Sequence, residues 1–275
     1  MAHLDFMITR LVALLALAVT LALPVRAGDS FVTPVTGTVL PGWQQADGSR
    51  MAALRLTLAP GWKTYWRTPG DAGIPPQFDW SASRNLRSVA IHWPTPGVFL
   101  TAGMRTIGYR DDLVLPLTLV PRKPGEPIRL ETTLDIGVCS DICVPHRMTL
   151  KAVIDDTNGK PTPVIAAALA SRPYAASEAG VRSATCKLRP TRDGMEIEAL
   201  LSLPPTGGEE VVIIEPGGSG LWMSETKTSR SGNTLRAVGE MMTGDGSPVA
   251  IRRSDIVITV LGSRQAVEIR GCTSG

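Results

Sequence analysis

The sequence predicts an all-β protein built from two β-sandwich domains, and three observations carry that expectation. Alternating apolar residues recur along the chain: Leu54, Leu56 and Leu58; Leu113, Leu115, Leu117 and Leu119; Leu134, Ile136 and Val138. A period of two is the mark of a strand with one buried face. Turn signals separate the runs, at Pro60-Gly61, Pro69-Gly70-Asp71 and Lys123-Pro124-Gly125, a spacing that suits a sandwich better than strands linked by helices. The 27 glycines and 22 prolines among 275 residues follow no three-residue period, which excludes collagen and argues against long helices.

Taken in order, the chain begins with a targeting pattern. Arg10 precedes an apolar run from Leu11 to Pro24, too short to span a bilayer comfortably, and Val25-Arg26-Ala27 then ends on a small residue. Residues 1–27 therefore read as a signal peptide and imply export, to the periplasm in a Gram-negative cell. Its removal takes out Arg10, Arg26 and Asp5 from a chain of 28 basic and 25 acidic residues, and the remainder is close to neutral. That gives no electrostatic case for nucleic acid or an anionic surface as partner.

Residues 28–158 form the first expected sandwich. Pro116 interrupts one of its runs, which suggests an edge strand or a bulge. Five of the six tryptophans fall between Trp43 and Trp93. Trp62, Trp66, Trp80 and Trp93 offer a carbohydrate platform on one reading, but Trp62 and Trp66 share one face of an alternating strand, which favours packing. Residues 159–180 read as a short helical or Pro/Ala-rich linker, with an Ala-rich piece from Pro163 to Ala170. Residues 181–275 then repeat the β character without repeating the sequence, in runs such as Val211 to Ile214, Leu235 to Val238, Val249 to Ile251 and Ile256 to Leu261. A second, smaller sandwich follows.

The four cysteines, at 139, 143, 186 and 272, suit an oxidising compartment. Residues four apart on a continuous strand are ~13 Å apart, too far for a disulfide, so the chain must reverse between Cys139 and Cys143. A hairpin through Ser140-Asp141-Ile142 would do this; one helical turn is the less favoured alternative, given Pro145 and the β-type flanks. So short a loop gains little from closure, whereas Cys186 and Cys272 would close one worth roughly 4 kcal/mol in the chain-entropy model. The long-loop pair is expected to be structural. The short-loop pair is either a hairpin staple or a redox pair that opens readily. Beside it, His146 would lower a thiolate pKa if its ring reached the sulfur, and Asp141 would raise one by repulsion.

The string from Gly61 to Pro76, GWKTYWRTPGDAGIPP, with Phe78-Asp79-Trp80, His92-Trp93-Pro94, Gly108-Tyr109 and the Val138–Pro145 cysteine segment, resembles the periplasmic N-terminal domain of the DsbD thiol:disulfide reductases. Within that family it is most similar to the ScsB (suppressor of copper sensitivity) branch, whose cysteine pair also has three residues between. The resemblance covers about residues 30–155. It implies an immunoglobulin-like sandwich, no cofactor, and a cysteine pair that takes electrons from a membrane-embedded thiol reductant and passes them to periplasmic thioredoxin-like proteins. It also implies that Cys143 forms the mixed disulfide and Cys139 resolves it, with Tyr65, Asp71 and Tyr109 as candidates for shielding and tuning the pair. Full-length members continue into a transmembrane domain and a thioredoxin domain, neither of which this sequence displays, so a separate membrane protein is the expected donor.

Three functions thus compete: a thiol:disulfide interchange protein, more electron carrier than turnover enzyme; a Cu(I) binder or copper-tolerance protein using Cys139, Cys143, His146 and Met148; and a structural sandwich with two inert disulfides. No Ser/His/Asp arrangement or phosphate-binding glycine loop stands out.

Overall fold

The computed structural model describes residues 33–101, 103–155, 161–218, 220–244 and 249–275; the signal peptide expected at 1–27 and the domain boundary expected at 158–159 lie outside them. The first half contributes β1 (Val35–Gln44), β2 (Arg50–Leu58), β3 (Lys63–Tyr65), β4 (Gln77–Asp79), β5 (Leu86–Ile91), β6 (Gly97–Thr101), β7 (Met104–Arg110), β8 (Asp112–Pro121), β9 (Ile128–Cys139) and β10 (Cys143–Ile154). Helix α1 (Pro163–Ala170) follows. The second half holds β11 (Tyr174–Ala175), β12 (Ser183–Pro190), β13 (Met195–Ser202), β14 (Val211–Glu215), β15 (Leu221–Met223), β16 (Lys227–Ser231), β17 (Thr234–Thr243), β18 (Val257–Leu261), β19 (Ala266–Arg270) and β20 (Thr273–Ser274).

These strands make four sheets, two per sandwich. The first sandwich stacks a four-stranded sheet, β1-β2-β8-β5, on a six-stranded one, β10-β9-β3-β7-β6 with β4 also on β9. The alternating leucines form its core: Leu54, Leu56 and Leu58 from β2 and Leu113 to Leu119 from β8 meet Leu134, Ile136 and Val138 from β9. The tryptophans do packing work. Trp66 is fully buried, and Trp62, Trp80 and Trp93 lie against the same core, with Phe78 stacked on Trp80 and edge-on to Trp93.

Pro116 corrects an expectation, because β8 is an internal strand and its register through Pro116 is unbroken. Its carbonyl accepts from the backbone N–H of His92, just beyond the last β5 pair at Ile91 and Leu117. A residue's N–H and C=O point to the same side of a strand, so the missing donor falls where β5 has run out. The outer face of this sheet is covered too: Ile165 of α1 is buried against Met51, Ala53 and Val114. That explains why β2 is buried on consecutive residues from Arg50 to Leu54.

The second sandwich pairs β11-β19-β18-β14 with β15-β17-β13-β12-β20, with β16 on β17. Val212, Ile214, Ile258, Val260, Val267 and Ile269 point into its own core. The alternate residues Val211, Ile213, Leu261 and Ala266 join the core cluster of the first sandwich instead. The unbroken apolar run Val211–Ile214 is thus a strand buried on both faces, the pattern expected wherever a sheet is covered on each side. Val249 to Ile251, expected as a strand, forms none; Val249 and Ile251 pack on the second core without a ladder partner.

Candidate functional site

The segment between Cys139 and Cys143 is a three-residue hairpin loop. Cys143 stands directly opposite Cys139 at the first rung of the β9/β10 ladder, and the two are bonded with Cα atoms 4.1 Å apart. The backbone N–H of Ser140 donates to the carbonyl of Ile142 and closes the turn. Exposure divides the pair. Cys139 is fully buried, whereas Cys143 opens the edge strand β10 and is exposed, next to Ile142 at 72%.

Register fixes which neighbours share the sulfurs' face. Since side chains alternate along a strand, Cys139 lies on the opposite face from Val138, Ile136 and Leu134, and so outside the hydrophobic core. Lys63 of β3 sits opposite Cys139, and Arg110 of β7 sits opposite Lys63. Tyr65, two residues beyond Lys63, shares that face. Its ring lies across β9 where Gly137 leaves room: a Cβ there would be 2.9 Å from Tyr65 Cδ2 and 2.6 Å from Ile74 Cβ. The Tyr65 hydroxyl reaches to 3.1 Å from Cys143 Sγ and donates to it, because a bonded sulfur carries no proton. Burial pushes the Tyr65 phenol above its usual pKa, which keeps it a neutral donor.

Of the residues singled out from sequence, Tyr65 is thus in contact with the pair. Tyr109 is not, since it points to the other face, where it is buried in the core and its hydroxyl donates to the carbonyl of Pro94 at 2.8 Å. Burial drives its pKa well up. Asp71 is exposed on the turn after β3 and faces the second sandwich, lining a crevice with Arg105, Ile214 and Met223. Asp141 is exposed at the hairpin tip. His146 and Met148 are three and five residues beyond Cys143 and so occupy the opposite face; Met148 packs against the core beside Gly37. The expectation of a tuning role for His146 is corrected by this parity, and the alternative copper set of Cys139, Cys143, His146 and Met148 is not assembled. Among the described residues no group of three or more His, Cys, Asp or Glu converges on one point.

Sequence reasoning missed Lys63, Arg110 and Phe99. The Arg110 guanidinium carbon lies 4.4 Å, and the Lys63 ammonium 5.8 Å, from the centroid of the Phe99 ring. Lys63 and Tyr65 stand two apart within the motif that carries the resemblance, so their shared face was readable, but their place beside the cysteines needed the β3/β9 register.

The second disulfide joins Cys186 of β12 to Cys272, just before β20, with Cα atoms 5.8 Å apart. Cys186 is fully buried in the second core. Between the sandwiches, Arg67 donates from Nε and Nη2 to both oxygens of Glu215 and from Nη2 to Glu268, each at 2.8 Å, while its guanidinium stacks on Trp66.

Comparison with known proteins agrees with this geometry. The family model of the thiol:disulfide interchange protein DsbD, N-terminal, matches residues 36–154. The crystal structure of the N-terminal periplasmic domain of ScsB from Proteus mirabilis superposes with a TM-score of 0.65 at 21% identity, covering 88% of this chain and 93% of that one. At that identity the likeness concerns the fold. The reduced N-terminal domain of Neisseria meningitidis DsbD is 17% identical over 46% of this chain and 91% of its own, with a TM-score of 0.25, too low to bear on the fold. No curated protein sequence matches the chain. Residues 36–154, with their buried and exposed cysteines facing each other across a hairpin, are a DsbD-type N-terminal domain, a thiol:disulfide interchange module.

Proposed function

We propose that the protein carries electrons in an exported compartment, the periplasm of a Gram-negative cell, by exchanging the Cys139–Cys143 disulfide with a membrane-embedded thiol reductant on one side and thioredoxin-like proteins on the other. The observation that supports this is the unequal exposure of the two sulfurs' residues: Cys143 is open on an edge strand and Cys139 is fully buried. Exchange requires an attacking thiolate to reach one sulfur while the other leaves, so Cys143 is the point of entry. In the reduced protein the Cys143 thiolate attacks a partner disulfide, forming Cys143–S–S–partner and releasing the partner's first thiolate. Cys139 then attacks Cys143 Sγ, the Cys139–Cys143 bond re-forms, and the partner's second thiolate leaves. Two electrons pass to the partner, and its thiolates take up two protons. Ile142, apolar and exposed beside Cys143, supplies contact surface for the incoming protein.

The test is trapping in cells. With Cys139→Ala, resolution is blocked and mixed disulfides to thioredoxin-like proteins accumulate through Cys143; with Cys143→Ala none form. Absence of any trapped species from the Cys139→Ala protein would favour a structural staple.

A further inference from the structure

The four strands β7, β3, β9 and β10 align Arg110, Lys63, Cys139 and Cys143 in one row, each opposite the next. Residues so opposed hold their Cβ atoms ~4.5–5.5 Å apart on a common face. Cys139 is fully buried and Lys63 is 6% exposed, so both residues stand on this face with little access to water, the Lys63 amine lying over the Phe99 ring while the disulfide is closed. A thiolate generated there without a nearby cation would be costly.

We propose that Lys63 is the charge and proton partner of Cys139 in the reduced protein, making the buried cysteine competent to resolve the mixed disulfide. The inference rests on the redox reading of the pair and assigns the step that reading leaves without a base. In the resolving step the Cys139 thiol gives its proton to the Lys63 amine. The thiolate attacks Cys143 Sγ, the Cys139–Cys143 bond forms, and the Cys143–partner bond breaks with its electron pair on the partner sulfur. That sulfur then takes the proton of the Lys63 ammonium, directly or relayed through solvent, which returns the amine for the next cycle.

The surroundings fit this role. Burial first, and Arg110 second, hold the Lys63 pKa below its ordinary value, so its proton is exchangeable nearer neutrality. The other groups on this face are few. Tyr65 donates to Cys143, Asp141 is exposed beyond the hairpin, and Arg147 of β10 pairs with Asp135 of β9 at 2.6 Å. Arg110 on β7 adds positive potential that a Cys139 thiolate would also relieve.

The experiment uses the whole protein. In a Cys143→Ser variant, Cys139 is titrated by the ultraviolet absorbance of its thiolate. Burial alone would place its midpoint above the ordinary thiol value of about 8.5, and the Lys63 partnership places it below. A midpoint at or above the ordinary value overturns the proposal even if no Lys63 variant folds. The second measurement reacts the reduced, otherwise unaltered protein with 5,5′-dithiobis(2-nitrobenzoate) and follows release of the second thionitrobenzoate, which reports attack by Cys139. Lys63→Met is expected to slow that release about tenfold near neutrality and to move its pH midpoint up by about one unit. Lys63→Arg, which keeps the charge but cannot take up the thiol proton, is expected to leave the pH midpoint near that of the parent and still slow the release. An unchanged rate and pH profile in Lys63→Met would refute the role of Lys63, whereas no second release in the parent protein would refute the redox reading itself.

Discussion

The Tyr65 hydroxyl lies 3.1 Å from Cys143 Sγ and donates to it from a ring that is 2% exposed. When the disulfide opens, the same hydroxyl meets a thiolate, and a hydrogen bond to a charged acceptor is the stronger one. Tyr65→Phe removes the donor and keeps the ring that packs over Gly137. The expected result is a Cys143 thiol pKa higher by about one unit, or ~1.4 kcal/mol. The pH dependence of alkylation in a Cys139→Ser background measures it, and an unshifted midpoint would reduce Tyr65 to a lid.

The two disulfides should open in order. Cys143 is exposed and its partner is four residues away, so reduction at that sulfur is unobstructed and frees little chain. Cys186 is fully buried and its bond spans 86 residues, a closure the chain-entropy model values at roughly 4 kcal/mol or more. Graded redox buffers with thiol labelling should therefore show Cys139 and Cys143 labelled while Cys186 and Cys272 remain bonded. Simultaneous opening of both pairs would argue for a staple at 139–143.

How much of this was legible in the sequence follows from how local each feature is. The strands of the first sandwich could be read because Leu54 to Leu58 and Leu113 to Leu119 alternate within a few residues, and the reversal at Ser140–Ile142 because two cysteines so close can bond only across a turn. His146 and Met148 fall on the far side of the sheet because proximity in sequence does not specify face and each stands an odd number of residues from Cys143, whereas Tyr109 does so because it lies opposite Thr64, one residue off the Lys63–Arg110 row. Lys63 reaches Cys139 through register between strands more than 70 residues apart, and Arg110 joins the row only through its own register with Lys63. The contact of Arg67 with Glu215 and Glu268 has no local signature either, and the run Val211–Ile214 reads from sequence only as a strand of the second sandwich, its second covered face appearing in the fold.

Arg67 is the most closely paired polar group in the contact between the sandwiches, which Thr68, donating to Glu215 at 3.0 Å, and the Arg105–Glu225 pair at 3.7 Å also cross. Its side chain is 23% exposed and its carboxylate partners 22% and 17%. Breaking a pair of this kind from one side leaves charges without their partner, so Arg67→Met should destabilise the protein by about 3 kcal/mol. Calorimetry should show a lower melting temperature and a broader transition as the two sandwiches lose coupling. A melting curve matching the parent would mean that Val211, Ile213, Leu261 and Ala266, with the Arg105–Glu225 pair, hold the contact without Arg67.

Acid should weaken the second sandwich through Glu210. Its side chain is 5% exposed; Arg230 donates to both its oxygens, and the N–H and hydroxyl of Thr206 each donate to Oε1 at 2.7 Å, tying the loop before β14 to β16. Burial alone would raise the carboxyl pKa, but the hydrogen bonds from Arg230 and Thr206 and the charge of Arg230 outweigh it and hold the pKa below the usual carboxylate value. A group whose pKa is depressed by folding contributes stability that is complete above its unfolded pKa, about 4.3 for glutamate, and that vanishes as the pH falls through the folded pKa. Glu210→Gln should therefore cost about 2 kcal/mol at neutral pH, the scale of a lost hydrogen bond to a charged group. The gap to the parent protein should narrow as the pH drops below about 4, because the parent carboxylate is then protonated as well. Urea unfolding of both proteins across that range measures the difference, and a gap that stays constant or widens in acid would exclude Glu210 as a source of acid sensitivity.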